Sequence, residues 1–418
     1  MKYLFIVLDG ASDAVYKELD NKSPLDYAKT PYLDKLASKS KLGRVEVIGK
    51  KIAPESDSAV MSLLGYDINN YYPGRGVIES IGAGWKIRKK SVYFRANFAT
   101  INDKWELIDS RANRIPGKLA KKLEKVINNI KIKGAEFEFK HTVGHRGVLR
   151  LTADNISDNI TGNHNYYKEL KGLKVHKAIP FTGEVFKLKS FKPRDKSFKA
   201  KNTSMLLKLY ARMLYNALKN HPINKKRKYP ANMLLLRGAG SELQKIPSMK
   251  KKTGLDWAAL VEMPVEEGIC KLCKMGIIFV GKETDTDVVK TKKYLKTAIK
   301  NMKKYDALYI HIKGPDLPGH DGDLRKKIKI FEIIDKHFFK PLLAKINLED
   351  TSIAVTADHS TECRIKSHSN RPTTLLIYKP GIKSDNIIKY SEKNCSKGSI
   401  GLIRGVDIVK LLCHNMRN

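Results

Sequence analysis

The sequence predicts an α/β protein: a mostly parallel sheet core flanked by helices, interrupted by a smaller inserted α+β domain. Two observations carry this. Continuous apolar runs at residues 3–8, 306–312 and 352–356 are each followed within a few residues by an aspartate, and short unbroken apolar runs are the signature of strands buried on both faces. Between the first run and the other two, residues 91–100 and 147–151 have the alternating character of half-buried strands. With 42% hydrophobic residues among 418, the chain has ample material for a large core.

The elements follow in order. Residues 3–8 form a strand whose carboxyl end is Asp9-Gly10, the edge where open α/β sheets bind ligands. The run is too short for a signal peptide or a membrane span, and no membrane segment is expected elsewhere. Residues 31–39 read as a helix, 44–48 as a strand, and 57–64 as a helix opened by Ser56-Asp57. An amphipathic helix at 204–218 joins the alternating strands in the insertion. Tyr72-Pro73-Gly74 and the charged stretch 224–228 before Pro230 mark its edges, giving a discontinuous core domain of 1–72 and 228–418 around an insertion of 73–227. Late in the chain, 375–378 is a further strand.

The net charge of +37 is spread over nearly every segment, which describes a solvated basic surface that concentrates anionic ligands. Zinc-finger spacing, RNA-recognition signatures and basic-zipper heptads are lacking, so nucleic-acid binding is disfavoured. Five cysteines make no disulfide framework and indicate a reducing, cytoplasmic compartment. Cys270 and Cys273 fall in a helix-like run at 266–275 without a second pair to complete a zinc site.

Potential ligands or nucleophiles cluster just after strands or at helix starts: Asp9, Glu55-Ser56-Asp57, Asp316 to His320, Asp358-His359 and His368. Carboxylates and imidazoles are what a divalent cation for phosphate chemistry requires, and two such cations stabilise attacking and leaving oxygens together. Asp316-Leu317-Pro318-Gly319-His320 reads as a tight loop rather than a helix, because Pro and Gly break helices. Ser56 at a helix start is placed for a nucleophile near an anion, although N-capping is the ordinary use of such a serine. Ser58 is the competing nucleophile.

The order Asp, Ser, insertion, Asp-x-x-x-His, Asp-His, His resembles the alkaline-phosphatase superfamily. Within it the chain is similar to the archaeal cofactor-independent phosphoglycerate mutases, through Pro54-Glu55-Ser56-Asp57, Leu64-Gly65-Tyr66-Asp67, Gly74-Arg75-Gly76, Phe94 to Thr100, Arg237-Gly238-Ala239-Gly240 and Gly319-His320-Asp321-Gly322-Asp323. The resemblance implies one metal on Asp9, Ser56, Asp358 and His359 and another on Asp316, His320 and His368. The metal the resemblance suggests is manganese, with cobalt, zinc or magnesium as alternatives. It implies a phosphoserine at Ser56, formed from 3-phosphoglycerate and returned to the other hydroxyl of a retained glycerate, with the insertion clamping that glycerate against water.

Arg237, His145, Asp158 and His164 are the candidates for substrate contacts and proton shuttling, with Arg95 and Arg75 as second choices. The partner is a small anionic phosphorylated metabolite; nothing in the sequence sets an oligomeric state. Two stretches depart from the family pattern. Thr161-Gly162-Asn163-His164-Asn165-Tyr166 stands for Ser-Asp-x-Asp-Pro-His, and Pro372-Thr373-Thr374 for Pro-Val-Pro. The first bears on substrate. It keeps open a metal-dependent phosphatase or a phosphotransferase with another acceptor, such as homoserine, and a nucleic-acid-binding protein on the same fold is a third reading.

Overall fold

From Leu4 onward the strand Lys2–Leu8 is apolar on both faces and fully buried, so it needs a neighbour along each edge and a layer on each side. In the computed structural model it lies mid-sheet, parallel to Ala307–Ile312 on one edge and to Thr351–Thr356 on the other. The structure describes residues 1–165, 167–169, 176–178, 186–243, 245–281 and 286–414. Across the large sheet the strand order is Gly276–Phe279, Trp257–Val261, Ala307–Ile312, Lys2–Leu8, Thr351–Thr356, Thr373–Tyr378, Lys41–Glu46, Gly401–Arg404. Thr373–Tyr378 runs antiparallel to both neighbours and the remaining pairings are parallel. The strand expected at 44–48 lies at Lys41–Glu46 instead. Its register against Thr373–Tyr378 and the close approach of Gly401 to Gly43 fix it there.

The chain divides into two units, one of Met1–Tyr71, Lys177–Phe181 and Ile246–Asn418, the other of Tyr72–His176 and Thr182–Lys245. The second unit does not end at 227 as expected. Met233–Gly240 pairs antiparallel with Ser91–Ile101, and hydrogen bonding to that long strand outweighs the charged stretch that suggested an edge.

In the second unit the sheet order is Ala135–His141, Arg146–Ala153, Ser91–Ile101, Glu106–Asp109, Phe186–Lys187, with Met233–Gly240 also on Ser91–Ile101. The helix Phe198–Lys219 is capped by Ser197 Oγ, which accepts from Ala200 N. It buries Leu207, Tyr210, Leu214 and Leu218, at helical spacing, against Phe137, Phe139 and Leu149. The ring of Tyr210 stacks on Phe137 with centroids 4.0 Å apart.

Among the described residues, no helix is long and apolar enough to cross a membrane. Cys270 and Cys273 lie buried on the helix Pro264–Cys273, where burial pushes the Cys273 thiol up to about 12 and Cys270 well above its ordinary range. Among the described residues neither belongs to a group of three or more metal-type donors.

Candidate active site

Three adjacent parallel strands end in the chemistry-bearing residues. Asp9 follows Lys2–Leu8, Asp358-His359 follows Thr351–Thr356, and Asp316 comes shortly after Ala307–Ile312. The turn at Gly10 brings them close. Its backbone has φ +60°, its N–H donates to Asp358 Oδ1 at 3.0 Å, and a Cβ there would lie 2.7 Å from Asp316 Oδ1. Only glycine fits such an approach.

The segment expected as a tight loop is a short helix, Asp316–Asp321. Pro318 is its third residue, and an N–H in the first turn has no intrahelical acceptor to lose. Gly322, at φ +78°, ends it. Asp316 and His320 therefore converge across one helical turn, with His320 Nε2 3.5 Å from Asp316 Oδ1.

Among the described residues, two groups of side chains offer ligand atoms that all lie within 4.8 Å of one another: Asp9, Asp358 and His359, and Asp316, His320 and His368. The rings of His359 and His368 stack with centroids 3.6 Å apart, which sets the groups side by side. Ser56 is the first residue of the helix Ser56–Leu63, with Glu55 as its N-cap, so the serine is not consumed in capping. Ser56 Oγ lies 3.4 Å from His359 Nε2. Ser58 is fully buried and donates to the Glu55 carbonyl at 3.1 Å.

The donor chemistry fits divalent cations. His368 Nδ1 meets the Pro54 carbonyl at 2.7 Å and His320 Nδ1 the Lys366 carbonyl at 3.1 Å. A carbonyl only accepts, so in both rings Nδ1 carries the hydrogen and Nε2 presents its lone pair on the Asp316 side, the usual state of a metal-ligating imidazole. Among the described residues, the buried oxygens Asp9 Oδ1 and Asp358 Oδ2 accept no hydrogen bond, which matches ligand atoms awaiting a cation. Burial alone would raise the carboxyls of Asp358 and Asp316. The histidines around them, His359 and His311 for Asp358 and His320 and His359 for Asp316, hold both below the usual carboxylate range. Burial and the neighbouring His359 push His368 down to about 4.

Sequence reasoning missed four residues here. His311 sits with Nδ1 3.2 Å from Glu266 Oε1 and Nε2 3.5 Å from Asp358 Oδ2. Lys313 Nζ lies 2.8 Å from Asp9 Oδ2 and 2.7 Å from Glu266 Oε1. Thr361 touches His359 and Asp316. A signal existed for His311 and Lys313: His311 interrupts the apolar strand Ala307–Ile312 and Lys313 follows at its carboxyl end.

The substrate candidates belong to the second unit. Arg95 and Arg237 face each other in register on paired strands. Arg95 Nη1 and Arg75 Nε both lie 2.6 Å from Glu79 Oε1, a buried carboxylate that sequence reasoning did not single out. Burial would raise Glu79, but Arg95 and Arg75 overcome it and hold the carboxyl at about 2. His145 is buried near Arg146, Arg111 and Arg95; burial first, then those cations, push its imidazole down to about 2, so it is neutral. His164 is buried in a loop anchored by Asn163, whose amide bonds Leu236 and Leu234 at 2.6 and 3.2 Å beside Arg237. Gly162 lets that loop pass the Leu236 carbonyl. Asp158 is half-buried earlier in the same loop. The structure thus joins Arg75, Arg95, Arg237 and His145 in one cationic neighbourhood. Tyr166 lies outside the described residues.

A mostly parallel α/β sheet that gathers a serine, carboxylates and imidazoles at its strand ends defines an enzyme of the phosphoryl-transfer kind. Residues 37–224 match the family described as 2,3-bisphosphoglycerate-independent phosphoglycerate mutase. The protein of that name from Methanosphaera stadtmanae is 34% identical over 420 residues, 99% of this chain and 97% of its own. Among solved structures, a Pyrococcus horikoshii protein aligns with TM-score 0.78 at 27% identity, covering 98% of this chain and 96% of that one. The cofactor-independent phosphoglycerate mutase of Thermoplasma acidophilum aligns with TM-score 0.61 at 28% identity, covering 99% of each chain. This chain belongs to the 2,3-bisphosphoglycerate-independent phosphoglycerate mutase family, whose members are isomerases.

Proposed function

We propose that the protein interconverts 3-phosphoglycerate and 2-phosphoglycerate, without 2,3-bisphosphoglycerate, through a phosphoserine at Ser56 beside two divalent cations, manganese foremost. The observation that carries this reading is Ser56 at the start of its helix, Oγ 3.4 Å from His359 Nε2 and next to two groups of metal-type donors. Asp9, Ser56, Asp358 and His359 would hold one cation, and Asp316, His320 and His368 the other. Such cations supply Lewis acidity that lowers the effective pKa of a serine hydroxyl and neutralises phosphoryl oxygens.

The Ser56 alkoxide attacks phosphorus, the bond from phosphorus to the C3 oxygen breaks, and that oxygen takes a proton. The glycerate turns, its C2 hydroxyl gives up a proton and its oxygen attacks the phosphoserine, and the bond from phosphorus to Oγ breaks to release the Ser56 alkoxide. The cycle moves one proton from the C2 to the C3 oxygen, a task for an acid–base side chain, with His145, Asp158 and His164 as the candidates. The helix N-terminus at Ser56 favours the anion with its amide groups. Arg75, Arg95 and Arg237 gather around the Glu79 carboxylate, a cationic neighbourhood suited to the carboxylate and phosphate of the substrate. Five unpaired cysteines and a small phosphorylated substrate support a cytoplasmic location. Nucleic acid is not the partner on this reading.

A phosphatase, or transfer to another acceptor such as homoserine, is the second reading. It is favoured by the loop at 161–165, where His164 stands in place of an acid of the family pattern. Proton NMR of the purified protein with 3-phosphoglycerate and Mn²⁺ separates the two. Appearance of 2-phosphoglycerate supports the mutase, and glycerate alone supports the phosphatase.

A further inference from the structure

We propose that Thr361 is a positioning residue that sets both ligand groups at once, an inference that rests on the metal reading above. Its hydroxyl has one hydrogen and two side-chain partners, Asp316 Oδ1 at 2.7 Å and His359 Nδ1 at 3.0 Å. An ionised carboxylate only accepts, so the hydroxyl hydrogen goes to Asp316. The oxygen then has only lone pairs to offer His359, and Nδ1 must be the nitrogen that carries the hydrogen. In a neutral imidazole, the form that can bind a cation, His359 Nε2 then keeps its lone pair. That is the atom 3.3 Å from Asp9 Oδ1, 3.2 Å from Asp358 Oδ2 and 3.4 Å from Ser56 Oγ.

His320 and His368 reach the same tautomer through backbone carbonyls, whereas His359 uses a side chain. The difference has a consequence, because a carbonyl can only receive while a hydroxyl receives from one group and gives to the other. Thr361 itself has little freedom. It is fully buried, its N–H donates to the Ser12 carbonyl at 3.0 Å, and its carbonyl accepts from Lys327 Nζ at 2.7 Å. It stands opposite His368 in the pairing of Ser360–Glu362 with Ser367–Ser369. One residue thus aims His359 in the first group and Asp316 in the second, and shares a strand register with His368.

The test uses the metal-stripped full-length chain titrated with MnCl₂ by isothermal calorimetry. Thr361→Val keeps the shape and removes the hydroxyl; Thr361→Ser restores it. The expected result is a loss of about ten- to a hundredfold in Mn²⁺ affinity at both sites in Thr361→Val, with Thr361→Ser close to wild type. Nitrogen-15 spectra of histidine-labelled, Zn²⁺-loaded wild type should show His359 protonated at Nδ1, its signal identified by its loss in His359→Gln. Wild-type affinity in Thr361→Val, or a wild-type His359 protonated at Nε2, overturns the proposal. The spectrum decides alone if Thr361→Val does not fold. A wild type that binds no Mn²⁺ overturns the metal reading and the proposal with it.

Discussion

Two serines, two residues apart on one short helix, differ by what already occupies their oxygens. Ser58 spends its hydroxyl on the Glu55 carbonyl, while Ser56 Oγ faces His359. Ser56→Ala is expected to lower the formation of 2-phosphoglycerate by about a thousandfold or more, and Ser58→Ala by no more than about threefold, both followed by NMR. Comparable losses in the two variants would remove the distinction. Glu79 poses the complementary problem of an anion among cations. Removing one partner of a buried charge group strands the rest, so Glu79→Gln is expected to cost about 3–5 kcal/mol. Added inorganic phosphate should recover part of that loss by standing in for the carboxylate. Thermal unfolding with and without phosphate checks this, and a gain no larger than in wild type would count against an anion site at these arginines.

At the scale of elements, the helix Phe198–Lys219 is stabilised by its buried stripe. Leu207→Ala is expected to destabilise the second unit by about 2–5 kcal/mol, whereas Met205→Ala on the exposed face should stay within about 0.5 kcal/mol, both read from thermal denaturation. Apolar periodicity made that helix and the central strands legible in the sequence. It could not assign Met233–Gly240, because a continuous apolar run fits either sheet and only pairing with Ser91–Ile101 decides. The candidate donors Asp9, Asp358 and His359 were legible because they follow strands, and Asp316 and His320 because they lie close together after another; their division into two groups, like His368, rested on the family resemblance. Thr361, Glu79 and Glu266 were not: each depends on a partner outside its own segment, Asp316 for Thr361, Arg95 for Glu79 and Lys313 for Glu266, and threonines and glutamates are common everywhere. Asp316–Asp321 escaped as a helix because a proline in the first turn breaks nothing. The short helix Glu392–Cys395 carries a further consequence. Burial, then the nearby Asp26, raises the Glu392 carboxyl to about 8 from an ordinary 4.5. A carboxyl raised on folding binds its proton more tightly when folded, so its contribution is complete below about 4.5 and is lost as pH climbs through about 8. Glu392→Gln should flatten the fall in melting temperature between about pH 5 and pH 9, gaining a few degrees at the alkaline end. An unchanged slope would mean that another group governs the fall.

At the scale of the whole molecule, the net charge of +37 exceeds anything the fold or the two ligand groups require. Salt bridges at the surface contribute little to stability, so the charge should be sought in encounter rather than in folding. A field of one sign draws an anionic substrate in from a distance and is screened over a Debye length of about 10 Å at 0.1 M salt. The bound complex, with charges buried or held close, is screened far less. The two effects separate in kinetics. Raising KCl from about 0.02 to about 0.3 M is expected to lower kcat/KM for 3-phosphoglycerate several-fold while leaving kcat nearly unchanged. The measurement is initial rates at fixed Mn²⁺ across that series. A parallel fall in kcat would place the salt effect on the chemistry or on cation binding. A flat kcat/KM would mean that the scattered lysines do not steer this substrate, and binding to a larger polyanion such as heparin would become the next property to measure.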